Sequence, residues 1–339
     1  MLSEATVAAV RACGLDPVAV ERIVATALAE DLGPAGVDVT TVATIAADQV
    51  GTAEVVARAD GVVAGLALIA AVFELVPLDA PADAPAPADA PAPADVPAPA
   101  DAPAPADAPG AAAVEVRLRV ADGDRVPAGT VLASVTGSTR TLLTGERTVL
   151  NLISRMSGVA THTRAWAEAL AGTTTTVLDT RKTTPGLRLL EKYAVRVGGG
   201  GNKRMGLYDT AMVKDNHKLA AGGVAAAYQR IRAAFPEVPV EVEVTTLAEA
   251  VEAVEAGAGF LLCDNMAPDL LREVVTEVAG RARLEATGGL TLANAAEYAA
   301  TGVDHVSVGA LTHSSPIMDI ALDLHPVASV VPADARSVG

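Results

Sequence analysis

Apolar residues along the chain recur in two periods, and the switches between them outline its elements. Pro17–Leu32 carries its apolar side chains at helical spacing, whereas Gly51–Ala59 alternates apolar and polar positions as a strand does. Val62–Val76 is apolar almost throughout and predicts a buried helix. Val114–Val120 (VEVRLRV) alternates again, Ala121-Asp122-Gly123-Asp124 reads as a turn, and Val131–Val135 reads as a further strand. Together these predict a small α+β domain built on a sheet. From Thr141 the period turns helical as far as Gly172, with a break expected at Ser157-Gly158 because glycine is a poor interior helix residue.

The remainder alternates strand and helix. Strands are predicted at Thr174–Leu178, Ala211–Val213, Val240–Val244, Gly259–Cys263, Ala282–Glu285 and His305–Val308. Helices are predicted at Leu187–Arg196, Val224–Phe235, Leu247–Glu255, Pro268–Ala279 and Leu292–Ala300. Such spacing indicates parallel βαβ units, which a doubly wound sheet and a barrel satisfy equally well.

Asp79–Ala113 breaks both periods with a hexad repeat of Pro, Ala and Asp in which Val96 is the one large apolar side chain. It cannot bury enough surface to offset its ordering entropy, so an extended, disordered surface insertion is expected. Its six aspartates supply part of the formal net charge of −16. An acidic chain of 25 Lys+Arg against 41 Asp+Glu is a poor partner for a phosphate backbone. With 2% aromatic residues it also offers few platforms on which bases could stack, so no nucleic-acid partner is expected. Gly61–Leu78, the most membrane-like stretch, holds Glu74 and Pro77. It falls short of the roughly 20 apolar residues a span requires, and no membrane partner is expected. Cys13 and Cys263 give neither a disulfide framework nor a metal-ligand spacing, and the N-terminus lacks a secretory pattern, so a cytoplasmic setting is expected.

In α/β folds the reacting groups gather at the C-terminal ends of strands. Here those ends read Asp179-Thr180-Arg181-Lys182, Lys214-Asp215-Asn216-His217, Asp264-Asn265, Thr287-Gly288-Gly289 and Val308-Gly309, while Glu241 and Glu243 lie within VEVEV. Any one of these could be a solvated loop; the ordered series points to a shared rim. Between Asp179 and Lys218 nine Lys/Arg stand against four Asp/Glu, so an anionic substrate is expected. Arg188, Lys192 and Arg196 recur at helical spacing and read as a solvated helix face. Arg181, Lys182, Lys203, Arg204 and Lys214 are assigned to the pocket, with Gly198–Gly201 as a flexible loop that delivers Lys203 and Arg204. That glycine run matches neither a dinucleotide fingerprint nor a P-loop. The glycines after Thr287 and Val308 would let backbone N–H groups approach a phosphate. Glu243 and Asp264, side by side among cations, suit Mg²⁺ or sugar hydroxyls. His162 is expected to be structural, and His217 and His313 are rim candidates.

Several of these runs carry a resemblance. ERTVLNLISRMSGVAT (Glu146–Thr161), DTRKTTPGLRLLEKYAVRVGGG (Asp179–Gly200), KDNH, EVEV and GGLTLANAAEYAATGVDHVSVGALTHS (Gly288–Ser314), with EDLGPAGVDVTT upstream, resemble quinolinate phosphoribosyltransferases. The resemblance implies an α/β fold with an N-terminal α/β sandwich domain (1–145, interrupted by 79–113) and an incomplete seven-stranded (β/α) barrel (146–310). A C-terminal segment (311–339) would pack back on the first domain. It implies a homodimer with an active site shared between subunits, in which Arg147 acts across the interface. The implied reaction joins quinolinate to phosphoribosyl pyrophosphate, with Mg²⁺ as cofactor. Arg147, Arg181, Arg204 and Lys214 would hold the two carboxylates, and Lys182 and Lys214 would face the pyrophosphate beside Thr180. Glu243 and Asp264 would meet the ribose hydroxyls and the metal. Thr287, Gly288 and Gly289 with Ser307, Val308 and Gly309 would seat the 5′-phosphate.

One position departs from the family pattern. Asn202-Lys203-Arg204 stands where the family usually reads Asn-His-Arg, which keeps a cation but drops the imidazole's planar donor and near-neutral pKa. Lys203 therefore joins the implied substrate contacts on altered terms. Rival readings are a paralogue acting on another aromatic acid, an aldolase-type barrel with Lys214 as Schiff-base nucleophile, and a ligand-sensing scaffold.

Overall fold

The computed structural model describes residues 1–77 and 114–325; the hexad insertion and the last residues lie outside that range. The chain forms two compact units. One comprises Met1–Asp60, Gly65–Ser154 and the chain from Asp319, the other Gly61–Ala64 and Arg155–Met318. The boundary implied at 145/146 thus falls nine residues earlier than the one observed, and residues 311–318 group with the barrel. Among the described residues no helix is long and apolar enough to cross a membrane.

The first unit is built on an antiparallel sheet. Strand β1 (Val50–Ala57) lies between Ile320–Leu324 and β3 (Val131–Ser138), and β2 (Glu115–Leu118) borders β3 on its far side. Alternation in β1 buries Ala53, Val55 and Ala57 while Thr52 and Glu54 stay partly exposed. Helix Pro17–Leu32 starts as its sequence suggests, with the Asp16 carboxylate accepting from Val18 N at 3.1 Å and proline in the first turn. The expected helix over Val62–Val76 is shorter, Ala67–Leu75. The Asp122 carboxylate accepts from the backbone N–H groups of Gly65 and Leu66, both at 3.0 Å, and so fixes the start of that helix from across the unit.

In the second unit six strands form one parallel sheet. They are β4 (Thr176–Leu178), β5 (Ala211–Val213), β6 (Val240–Val244), β7 (Phe260–Asp264), β8 (Arg283–Thr287) and β9 (His305–Ser307). Their order, β4-β9-β8-β7-β6-β5, joins the last strand back to the first, as in a barrel rather than an open doubly wound sheet. The gap between β4 and β5 marks the barrel as incomplete. At that gap Gly201 makes an isolated parallel bridge to Leu178, all that stands for a seventh strand among the described residues. Val242, Val244, Leu261, Cys263, Leu284, Ala286 and Val306 are buried along the strands. The intervening positions Glu241, Glu243, Leu262, Asp264, Glu285, Thr287 and Ser307 occupy the other face by the period-two geometry of a strand.

The helical stretch is continuous from Thr139 to Ala169, so the break expected at Ser157-Gly158 does not occur. The two small residues serve close packing instead. Ser157 Oγ accepts from Ala64 N at 3.1 Å, and a Cβ on Gly158 would collide with the Pro316 carbonyl oxygen and lie 2.9 Å from Ile317 Cα. A residue that weakens a helix in isolation is retained because backbone approaches it too closely for any side chain. Gly158→Ala is expected to cost about 1–3 kcal/mol by overpacking against rigid backbone, despite alanine's better helix propensity. Equilibrium urea denaturation measures this, and an unchanged midpoint would contradict it.

Candidate active site

The inward positions of the strands meet the loops that follow them around one cavity of about 520 Å³. Thr180, Arg181, Lys182, Lys203, Arg204, Met212, Lys214, Glu243, Leu262, Asp264, Thr287 and Ser307 line it. Ten of these are residues that the sequence assigned to the site; Met212 and Leu262 supply apolar wall between them. Gly288, Gly289, Val308 and Gly309 are not among the lining residues. Gly309 nonetheless sits directly beneath the site, since a Cβ there would meet Lys182 Cδ at 2.9 Å, His313 Nε2 at 3.3 Å and Thr180 Oγ1 at 3.5 Å. Arg147 is exposed on the helix segment that belongs to the first unit and does not line the cavity.

The loop after β4 is tied from several sides. Thr180 Oγ1 accepts from Lys182 N at 3.0 Å, and Thr312 Oγ1 donates to Lys182 O at 2.8 Å. Arg188 donates to Arg181 O, Thr183 Oγ1 and Met205 O at 2.9–3.2 Å. Arg188 is therefore a clamp joining two site loops, and not the solvated helix residue its spacing suggested. The same correction applies with more force to Lys192, whose side chain is 0% exposed and reaches Asp179 Oδ1 at 2.5 Å. Asp179 also accepts from Asn202 Nδ2 at 2.6 Å and Lys203 N at 2.9 Å, while Lys192 Nζ donates to Lys203 O at 3.1 Å. Burial pushes the Asp179 carboxyl up and the Lys192 ammonium down, and their mutual attraction opposes both shifts. Three hydrogen bonds into the carboxylate and two from the ammonium keep the pair ionised. Arg196 alone of the three is exposed, with its guanidinium over the Tyr193 ring and a bond to Asn202 Oδ1.

That buried pair explains how Lys203 and Arg204 are presented. The glycine run is not a loose loop. Gly198 ends the helix Arg188–Val197, Gly200 N donates to Val195 O and Gly201 N to Val177 O, and side chains would clash at Gly200 and Gly201. From this turn Lys203 reaches inward, its ammonium 2.8 Å from Glu285 and 3.3 Å from Glu241. Burial pushes the Glu285 carboxyl up, opposed by Lys203. Glu285 and the role of Glu241 were missed, although a signal was available: in VEVEV and RLEAT, Glu241 and Glu285 stand two positions before Glu243 and Thr287 and so share their face.

The remaining cations converge without a salt bridge among the described residues. Arg204 is 9% exposed, donates to Thr210 O at 2.9 Å, and has its pKa lowered by burial and by the Arg181 guanidinium beside it. Arg181 Nε is buried with no hydrogen-bond partner among the described residues. Lys214 opens the helix Asp215–Ala221, its backbone N–H donating to His217 Nδ1 at 3.0 Å, which makes His217 a capping residue. His162 is likewise structural, bonded to Ser315 Oγ at 2.8 Å and accepting from Trp166 Nε1 at 3.3 Å. Opposite the cations, burial raises the Glu243 carboxyl; Lys214 opposes the shift and neighbouring Asp264 adds to it. Two adjacent carboxylates that repel each other form a hard oxygen set able to take a divalent cation. No group of three or more such ligands occurs among the described residues, so protein atoms would complete only part of a Mg²⁺ shell.

Comparison with known proteins agrees with this fold. The model of the quinolinate phosphoribosyl transferase C-terminal domain matches residues 159–323, and that of the N-terminal domain matches 38–89 and 106–157. The chain belongs to the quinolinate phosphoribosyltransferase family. The carboxylating nicotinate-nucleotide pyrophosphorylase of Mycobacterium leprae is 44% identical over 302 residues, covering 88% of this chain and 94% of that protein. A probable enzyme of the same name from Bacillus subtilis is 46% identical over 212 residues, 62% of this chain and 73% of that one. Among solved structures, NadC from Streptococcus pyogenes superposes with a TM-score of 0.78 at 36% identity, covering 92% of this chain and 99% of its own. The family's fold is the one observed here, and residues 90–105, within the hexad insertion, are what its N-terminal model skips.

Removing Lys192 would leave Asp179 as an uncompensated buried charge. Lys192→Met is expected to destabilise the protein by about 3–5 kcal/mol, as for breaking one side of a buried ion pair. Chemical denaturation reads this directly, and a loss below about 1 kcal/mol, the range of exposed pairs, would contradict the buried assignment.

Proposed function

We propose that this cavity joins quinolinate to phosphoribosyl pyrophosphate, releasing pyrophosphate and CO₂ and leaving nicotinate mononucleotide, a step of NAD biosynthesis. The observation that carries this reading is the meeting in one cavity of Arg181, Arg204, Lys182 and Lys214, none in a salt bridge among the described residues, with the facing carboxylates Glu243 and Asp264. The donor set suits a substrate with two adjacent carboxylates beside a polyphosphate.

Arg181, Arg204 and Lys214 hold the two pyridine carboxylates and so orient the ring nitrogen toward the ribose carbon, an effect of position rather than of bond making. Lys203 supports that end from the cavity wall. Arg147, exposed and not among the cavity's lining residues, completes the clamp from a second copy of the chain, which makes the active form a homodimer. Lys182 and Lys214 face the departing pyrophosphate, and their charges stabilise what accumulates on it as the glycosidic bond breaks. Thr180 fixes the Lys182 loop. Glu243 and Asp264 accept from the ribose hydroxyls and stand where positive charge develops on the sugar. They would also hold Mg²⁺, which when bound neutralises pyrophosphate charge. Thr287, Gly288 and Gly289 with Ser307, Val308 and Gly309 seat the 5′-phosphate. Once the ring nitrogen is quaternised, electrons of the breaking carboxylate bond can rest at ring carbon 2, which then takes a proton as CO₂ leaves. Two cysteines that form no disulfide among the described residues suit a reducing, cytoplasmic setting.

Arg181→Ala is expected to lower kcat/KM for quinolinate by at least about 10²-fold, as for the loss of an orienting clamp. Near-normal steady-state turnover would remove the assignment. A second expectation concerns pH. The Glu243 carboxyl lies above its ordinary value of 4.5, so its ionised form is lost as pH falls through that raised value. The acid limb of the kcat/KM profile for phosphoribosyl pyrophosphate should therefore lie above pH 4.5 and disappear in Glu243→Gln; a profile unaltered by that substitution would refute the role.

A further inference from the structure

Strand β7 ends at Asp264, and the next residue departs from ordinary backbone. Asn265 has φ +52°, and the one other non-glycine residue with positive φ among the described residues, Ala279, caps a helix. Asn265 caps nothing: the following helix, Pro268–Val278, has Ala267 at its N-cap. The left-handed conformation costs asparagine less than most residues, but it is adopted here between two groups of the site.

Three ties follow from it. Asn265 Nδ2 donates to Asp264 Oδ2 at 2.9 Å. Its backbone N–H donates to Thr287 O at 2.9 Å, extending the β7–β8 ladder by one bond. Its side-chain amide covers Gly288, where a Cβ would collide with Oδ1, lie 2.6 Å from Cγ and lie 3.2 Å from Asn265 N. Gly288 itself has φ +89°. One side chain thus touches both the carboxylate of β7 and the glycine turn of β8.

We propose that Asn265 is a positioning residue for the phosphoribosyl end of the site, an inference that rests on the roles given above to Asp264 and to the turn Thr287–Gly289. By occupying one oxygen of Asp264 it holds the carboxylate in a single orientation, with the other oxygen left for the sugar. By filling the space over Gly288 it holds the direction of the backbone N–H groups that follow Thr287. The aromatic-acid clamp at Arg181 and Arg204 stands on the loops between β4 and β5, so Asn265 acts on one substrate and not on both.

Asn265→Gly separates the amide from the backbone, because glycine adopts the left-handed conformation without strain. KM for phosphoribosyl pyrophosphate is expected to rise about tenfold, the effect of losing one hydrogen bond to a charged group. KM for quinolinate should stay within about twofold and the melting temperature should be unchanged, since the strained backbone is relieved rather than disturbed. Calorimetric titration of phosphoribosyl pyrophosphate in the presence of EDTA should show the same weakening, which makes the readout independent of metal and of turnover. Asn265→Asp keeps the side-chain shape, replaces the donor with a carboxylate facing Asp264, and should weaken binding further. Unaltered phosphoribosyl pyrophosphate affinity in either variant, or an equal rise in both KM values, overturns the proposal. If Asn265→Gly does not fold, the Asp variant alone decides by the same titration. Failure of wild-type protein to bind phosphoribosyl pyrophosphate would instead sink the reading on which the inference rests.

Discussion

A parallel sheet curled into an incomplete barrel encloses the side chains of alternate positions, and in this barrel many of those positions are charged. Each enclosed charge must be neutralised by another or be kept for a ligand, since an isolated ion away from water is too costly to persist. The architecture of the site follows from how that constraint is met. Lys203 is shared between Glu285 and Glu241, while Asp179 and Lys192 settle their charges within the protein. Arg181, Arg204, Lys182 and Lys214 on one side, and Glu243 with Asp264 on the other, do so incompletely. The residual imbalance is the binding potential of the cavity.

The paired set also positions the unpaired one. Asp179 and Lys192 receive and give hydrogen bonds to the backbone of Lys203 and the amide of Asn202, so the strand end that bears Arg181 and the turn that bears Arg204 share one buried anchor. Arg188 repeats the arrangement at the next level by bonding the carbonyls of Arg181 and Met205. Two guanidinium groups that repel each other are held close by groups that never face the cavity. Such preorganisation lets the site meet developing charge without rearranging.

Close approach to glycine, by backbone at Gly158 and by side chains elsewhere, is the second recurring device. Gly158 admits the Pro316 carbonyl to the face of a long helix, Gly200 and Gly201 pack under Thr163 and Leu178, Gly309 lies beneath Lys182, and Gly288 lies beneath Asn265. In each place neighbouring atoms, backbone at Gly158 and side chains at the others, occupy the volume a Cβ would take. A helix interior and a strand end obey the same steric rule.

Local periodicity by itself determined the parallel strands, most of their helices and the polar residues at the strand ends, because side-chain direction in a strand and a helix follows from backbone geometry within a few residues. Seven of the cavity's lining residues were legible in this way; Lys203 and Arg204 came from the local excess of cations, and Ser307 only from the family resemblance. The family resemblance, carried by ordered motifs, supplied the incomplete barrel that periodicity left open. What the chain could not reveal locally were facts of three dimensions: whether the sheet closes, that the helix runs unbroken through Gly158, and that Lys192 and Arg188 turn inward. A lysine at helical spacing looks the same whether water or an aspartate thirteen residues away receives it. That choice belongs to tertiary structure, since the energy of a charge depends on what surrounds it and not on its neighbours in sequence.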